Sequence, residues 1–339
     1  MTILNYATFQ IDIQSKTTEN ITLQVQETDF EKYLSELIDE VDINTNSRRF
    51  EFVRDTTEIR VLIDTLFKDD DFEQFINGAS QRLLDTEVSA QEGIAHLGNE
   101  IQKGILILAH VENDGQQSIF ICKAEHLDFL EETSYRITKG LPIKKKLFKA
   151  FLATFDQSHQ PTSVLVFDTN QVMAKYWWKD YLELNPIRTD NHNTKMAFQS
   201  LEKRIFGPLK KEHPADWMNL RNSTVHYFRS NEEFSLENYM TEIIDPYSPV
   251  DEKLKMKKLK DKIEEFPEKY NFDNRFSIDR TEVKARQSNK VRLTENLDLL
   301  MKTDIDLPNV INAYKTEDGQ KFISIRTDNG YDTFIEKQQ

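Results

Sequence analysis

The chain predicts an α+β fold: a central antiparallel sheet, helical N-terminal and C-terminal blocks, and a tail of short strands. Three observations carry this. Apolar residues recur at helical spacing in two blocks, between Thr28 and Ile101 and between Asn193 and Phe266. Between the blocks lie apolar runs of strand length, punctuated by turn residues. Helical and strand patterns are segregated rather than alternating, which favours α+β over a doubly wound sheet.

From the N-terminus, Ile11-Asp12-Ile13 and Ile21-Thr22-Leu23-Gln24-Val25-Gln26 alternate as strands with one buried face do. Thr28 followed by Glu31 is a capping-box pattern, and Tyr33, Leu34, Leu37 and Val41 continue it at helical spacing. Arg49 to Val53 reads as a strand. Three helical stripes follow: Ile59, Leu62, Ile63 and Leu66; Phe72, Phe75, Ile76 and Leu83; and Ile94, Leu97 and Ile101. Gly104 to His110 and Ile119 to Cys122 flank the turn Asn113-Asp114-Gly115 and predict a hairpin. Val164 to Phe167 and Val172 to Tyr176, around Asp168-Thr169-Asn170-Gln171, predict a second. Helices return with Phe198, Leu201 and Ile205, then Trp217, Leu220, Val225 and Phe228, then a segment capped by Ser235. Lys253 to Phe266 is a charged helix whose apolar stripe is Leu259, Ile263 and Phe266. The tail holds short strands at Phe276–Ile278, Val291–Leu293, Leu297–Met301 and Phe322–Ile325.

A chain of 339 residues exceeds the usual size of one compact core, so two domains are expected, 1–190 and 191–339. With 22 Phe and 11 Tyr the chain has material for real cores and is not a disordered composition. The lone Cys122 forms no internal disulfide and reads as a structural cysteine of a reducing compartment. The start lacks the pattern of a signal peptide, and no apolar run reaches the roughly 20 residues of a membrane span. A cytoplasmic protein is expected.

The motifs of common chemistries are missing. There is no phosphate-binding loop, dinucleotide fingerprint, nucleophile elbow or kinase signature. The seven histidines are scattered and form no metal-ligand pair. No catalytic residue, metal or cofactor is expected. The single catalytic hint is Glu282-Val283-Lys284, an acid-x-Lys tripeptide of the kind some metal-dependent nucleases use; in a chain that is 30% charged, chance is the plainer source.

Charge is distributed unevenly. Of the net −14, residues 1–100 carry 8 basic and 21 acidic side chains, hence −13, and the remainder is near neutral. Affinity for nucleic acid comes from lysine and arginine neutralising phosphates, and distant acidic charge is screened at cellular salt. Two clusters fit that use. One is Lys139, Lys144, Lys145, Lys146 and Lys149; the other is Lys284, Arg286, Lys290 and Arg292; neither contains an acid. Gln287, Ser288 and Asn289 add donors to the second. Lys253 to Lys262 holds six lysines and reads as the solvated face of an amphipathic helix. In Lys175-Tyr176-Trp177-Trp178-Lys179, Tyr176 and Trp177 are candidates for base stacking, although two-sided packing of a strand explains the same pattern.

Several of these segments, in this order, resemble the bacterial nucleoid-associated proteins of the NdpA/YejK-like group. They are Gly104–His110 with Ile119–Lys123, Ala174–Leu182 continuing to Pro186-Ile187-Arg188, Phe276–Ile278 through Val283-Lys284 to Lys290–Leu293, and Asp318–Phe322. The resemblance implies a DNA-associated protein of the cytoplasm and nucleoid, and it brings no catalytic residue with it. Double-stranded DNA is the expected partner, contacted through the two lysine and arginine clusters. The alternative is a protein-interaction module whose acidic N-terminal third recruits or regulates a partner in DNA processing or anti-phage defence. A second copy of the chain is a further partner left open; a membrane is not expected.

Overall fold

A computed structural model describes residues 1–21, 27–98, 100–101, 103–130, 136–141, 148–170, 172–284, 290–300, 310–327 and 329–334. Two compact units emerge, Met1–Ala285 and Arg286–Gln339. Residue 190, expected as the boundary, lies inside the first unit and falls between two of its hydrophobic cores.

The first unit begins with strands β1 (Thr2–Asp12) and β2 (Thr17–Asn20), helix α1 (Glu27–Ile43), strand β3 (Arg48–Phe52), and helices α2 (Glu58–Asp69) and α3 (Phe72–Ile94). There follow β4 (Gly104–Asn113), β5 (Gln116–Glu125), β6 (Leu127–Leu130), β7 (Ile137–Gly140), β8 (Phe148–Phe155), β9 (Pro161–Asp168) and β10 (Leu184–Pro186). An antiparallel eight-stranded sheet has the order β10-β3-β9-β8-β5-β4-β1-β2, while β6 and β7 form a separate ribbon. Asp114 and Gly115, both at positive φ, make the tight turn between β4 and β5.

Both faces of the sheet are covered. Phe30, Leu34, Leu37, Ile38 and Val41 of α1 pack on Ile105, Ile107, Phe120, Cys122 and Leu152. On the other face, α2 and α3 bring Ile59, Ile63, Leu66, Phe75 and Leu83 against Leu106, Leu108, Ile121, Phe151 and Val166. Two-sided burial is why β4, β5 and β8 read as nearly continuous apolar runs.

Two expectations are corrected, and a third falls mostly outside the described residues. The hairpin of Val164–Phe167 with Val172–Tyr176 does not form: β9 pairs with β8, and Tyr176–Tyr181 is a π-helical turn. The stripes beginning at Phe72 and at Ile94 are not two helices: α3 runs unbroken to Ile94 and ends in a 3-10 turn, Ala95–Leu97. The strand expected over Ile21–Gln26 falls mostly outside the described residues.

A second core is helical. It is built by α4 (Asp190–Ser200), which continues as a π-helical turn Leu201–Ile205, then α5 (Leu209–Glu212), α6 (Pro214–Ser230), α7 (Leu236–Tyr239), α8 (Met256–Glu264) and α9 (Phe266–Tyr270). Short strands β11 (Glu233–Ser235) and β12 (Arg275–Ser277) close it, with the rings of Phe228, Phe234 and Phe276 stacked at the centre and Phe272 meeting Phe234 and Phe276 edge-on. Ser235 caps α7, accepting from the Asn238 amide at 3.4 Å. Polar contacts join this lobe to the sheet. Buried Asp273 accepts from Arg188 at 2.8 Å, from Asn193 at 2.8 Å and from Arg48 of β3 at 3.3 Å.

The second unit holds two ribbons, β13 (Lys290–Thr294) with β14 (Leu297–Leu300) and β15 (Ile311–Lys315) with β16 (Lys321–Ile325), and a short helix Tyr331–Phe334. Among the described residues no helix is long and apolar enough to cross a membrane.

Candidate nucleic-acid interface

The expected cationic residues fall into three groups. Lys149 is interior. It is 5% exposed, and its Nζ lies 2.7 Å from Glu125 Oε1 in the middle of the sheet. It therefore offers no charge to a phosphate, and its place in the Lys139–Lys149 cluster is corrected. Lys284 stands exposed at the end of the first unit. For the others the structure gives no side-chain position: Lys144, Lys145, Lys146 and Arg286 lie outside the described residues, and Lys139, Lys290 and Arg292 are placed by backbone alone, in β7 and β13.

Lys149 belongs to a buried ionic row. In register across three strands stand Lys123 of β5, Lys149 of β8 and Asp168 of β9, with Glu125 two residues beyond Lys123 on the same face. Lys123 Nζ donates to Glu87 of α3, which also accepts from the Tyr176 hydroxyl at 3.4 Å. Asp168 accepts from the Asn170 and Ala174 amides, both at 2.9 Å. Burial pulls the Lys123 ammonium below its usual range and pushes the Asp168 carboxyl above its own. The sequence carried a sign of this row: isolated charges of both signs set in otherwise apolar strands, which need partners to be buried at all.

The aromatic candidates are also interior. Trp177 is fully buried against α3, 5.1 Å from the Tyr181 ring, and Tyr176 is half-buried and held by Glu87. A π-helical turn, not a strand, orients them, so neither presents a ring face to a base. Glu282 and Lys284 flank the end of a 3-10 turn capped by Asp279, where Glu282 accepts from Asn191 at 3.2 Å. Among the described residues no three acidic, histidine or cysteine side chains converge on a metal-sized site.

Among the described residues of the first unit, helix α8 and the residues before it carry a dense group of exposed lysines. Helix α8 buries Leu259 and Ile263 in the helical core, which turns Lys257, Lys258 and Lys262 outward. Lys253 and Lys255, just before it, are exposed as well. None of these five forms an ion pair with a described residue; Lys260, by contrast, is held by Asp245 at 2.6 Å. The helix packs on the turn Leu201–Ile205, whose Lys203 and Arg204 are also exposed. Four of the lysines sit at or before the first turn of α8, where a helix dipole already places positive charge. Cations there disfavour the helix by roughly 0.3–1 kcal/mol each, so helix stability does not account for them. They add instead to a local positive potential. Exposed carboxylates flank and interrupt the cluster: Glu252 before the helix, Asp261 within it, and Glu264, Glu265 and Glu268 at and beyond its end.

No curated protein matches the chain. The sequence profile of a family described as nucleoid-associated protein YejK matches residues 12–338, which takes in both units. The chain belongs to the family of nucleoid-associated protein YejK.

Proposed function

We propose that this protein associates with double-stranded DNA in the nucleoid as a non-catalytic binding protein. Family membership over nearly the whole chain carries the reading. Contacts run to phosphates, through Lys284, Arg286, Lys290 and Arg292, through Lys139 and Lys144–Lys146, and through the outward lysines of α8. The acidic N-terminal third lies on the sheet lobe, α8 on the helical lobe; at cellular salt, charges farther apart than about 8–10 Å are screened from one another.

Duplex affinity measured across a salt series tests this. Phosphate-led binding weakens steeply with salt, with a slope of about −0.9 per phosphate neutralised. Substituting Lys257, Lys258 and Lys262 together by alanine makes that slope shallower by about 2 to 3. Absence of duplex binding at low salt, or affinity indifferent to salt, rejects the proposal.

A further inference from the structure

The β15–β16 ribbon of the second unit holds its apolar side chains in the open. Among the described residues of this unit none is buried, and Tyr314, Phe322, Ile323 and Ile325 are each between 41% and 54% exposed. The ribbon is regular: its pairs run from Ile311↔Ile325 to Lys315↔Lys321 without a bulge, and the Tyr314 and Phe322 rings stack at 5.4 Å. A two-stranded ribbon is at best marginally stable alone in water; further strands or a packed face are needed. Neither a bulge nor a proline guards the edge of β16, and Lys321 is its one charged residue.

Hydrogen bonding fixes which main-chain groups face out. Thr316 N donates to Gln320 O at 2.9 Å and Arg326 N donates to Val310 O at 2.8 Å, so even-numbered residues turn inward at both ends of the ladder. Main-chain groups alternate along the strand, so the N–H and C=O of Lys321, Ile323 and Ile325 point away from β15. No described strand pairs with them. This edge is self-complementary. About a twofold axis at Phe322, an antiparallel copy sets Lys321 opposite Ile323 of the second chain, and their outward groups exchange two hydrogen bonds. Phe322 then meets its own copy in the closer, non-hydrogen-bonded pair, which extends the Tyr314–Phe322 stack across the axis. Arg326 comes opposite Asp318 of the copy; both are exposed, and neither forms an ion pair with a described residue. Net charge favours the same unit. Residues 286–339 carry 8 basic and 9 acidic side chains, hence −1, whereas residues 1–285 carry 36 and 49, hence −13. Two copies meeting through the first unit repel each other; through the second they do not.

We infer that the outer edge of β16 is a contact between two copies of this chain, in which their ribbons join as one four-stranded antiparallel sheet with Phe322 on the twofold axis. Edge-to-edge pairing of two ribbons is small beside the roughly 1,200–2,000 Å² of a stable complex, so the dimer forms in the micromolar range. This inference does not depend on the DNA reading.

Sedimentation of the full-length protein from about 1 to 200 μM reads the association, and reversible monomer–dimer exchange is expected. Ile323→Pro removes an outward amide while sparing the hydrogen bonds to β15, and is expected to weaken dimerisation about tenfold or more. Arg326→Asp and Asp318→Arg are each expected to weaken it, and the two together to restore it. Phe322→Cys gives a second readout. With Cys122 buried, mild oxidation is expected to link two copies through position 322, whereas Asn312→Cys, on the strand away from the axis, links none. The inference is overturned by a monomer throughout that range, by dimers indifferent to Ile323→Pro and to the charge reversals, or by equal cross-linking at positions 312 and 322. Slowed amide exchange at Ile323 and Ile325 only when duplex DNA is added assigns the edge to nucleic acid and overturns it as well.

Discussion

Lys149 and Glu125, on neighbouring strands of the central sheet, form an ion pair of 2.7 Å with both side chains at most 7% exposed. The pair explains why a lysine bordering a lysine-rich segment is not part of any binding surface. Burying two charges is tolerated only when each supplies the other with what water would have given.

Replacing Lys149 by methionine therefore leaves Glu125 charged and uncompensated inside the sheet. A loss of about 3–5 kcal/mol in unfolding free energy is expected, measured by urea denaturation. Replacing Lys258, which is exposed on α8, by methionine shifts stability by no more than about 0.5 kcal/mol. Equal effects at the two positions contradict the placement of Lys149.

His110 gives a pH dependence. It is buried in β4 with its ring 5.7 Å from Phe67, and burial holds its imidazole below the ordinary 6.5. The unfolded chain takes up a proton at 6.5 while the folded one resists. The stabilisation is thus complete above pH 6.5 and is lost as pH falls from there through the depressed value. A His110→Phe variant is expected to lose less stability than the parent between pH 7.5 and pH 5.5, as denaturation series at several pH values will show.

Asp273 ties the two lobes of the first unit. It is met by Arg48 and Arg188, and Asp190 also pairs with Arg48, at 2.9 Å. Asp273→Ala removes the shared acceptor of two arginines and an asparagine. Because the sheet and helical cores are separate apolar clusters, their unfolding is expected to uncouple into two transitions, visible by calorimetry. A single unshifted transition counts against a lobe junction held by this carboxylate.

Leu259 anchors α8 and so decides which way its lysines face. Leu259→Ala is expected to cost about 2–5 kcal/mol. Lys257→Ala with Lys262→Ala leaves the melting temperature nearly unchanged and lowers duplex affinity. If the lysine pair destabilises as much as Leu259→Ala, those lysines pack rather than face solvent.

Local periodicity determined much of this protein. The β4–β5 hairpin, α2, α6 and α8 announced themselves through apolar spacing and turn residues, because strand and helix each repeat over a few residues. The order of several segments pointed to the family. What periodicity does not encode is which residues cover a given face. Lys123, Lys149 and Asp168 lie within strands tens of residues apart, and only the pairing of β5 with β8 and of β8 with β9 sets them in one row. Trp177 left the surface because a π-helical turn rotated it onto α3. Burial of a charge depends on partners brought together by the fold; one-dimensional spacing holds the period of an element, not the identity of its neighbours.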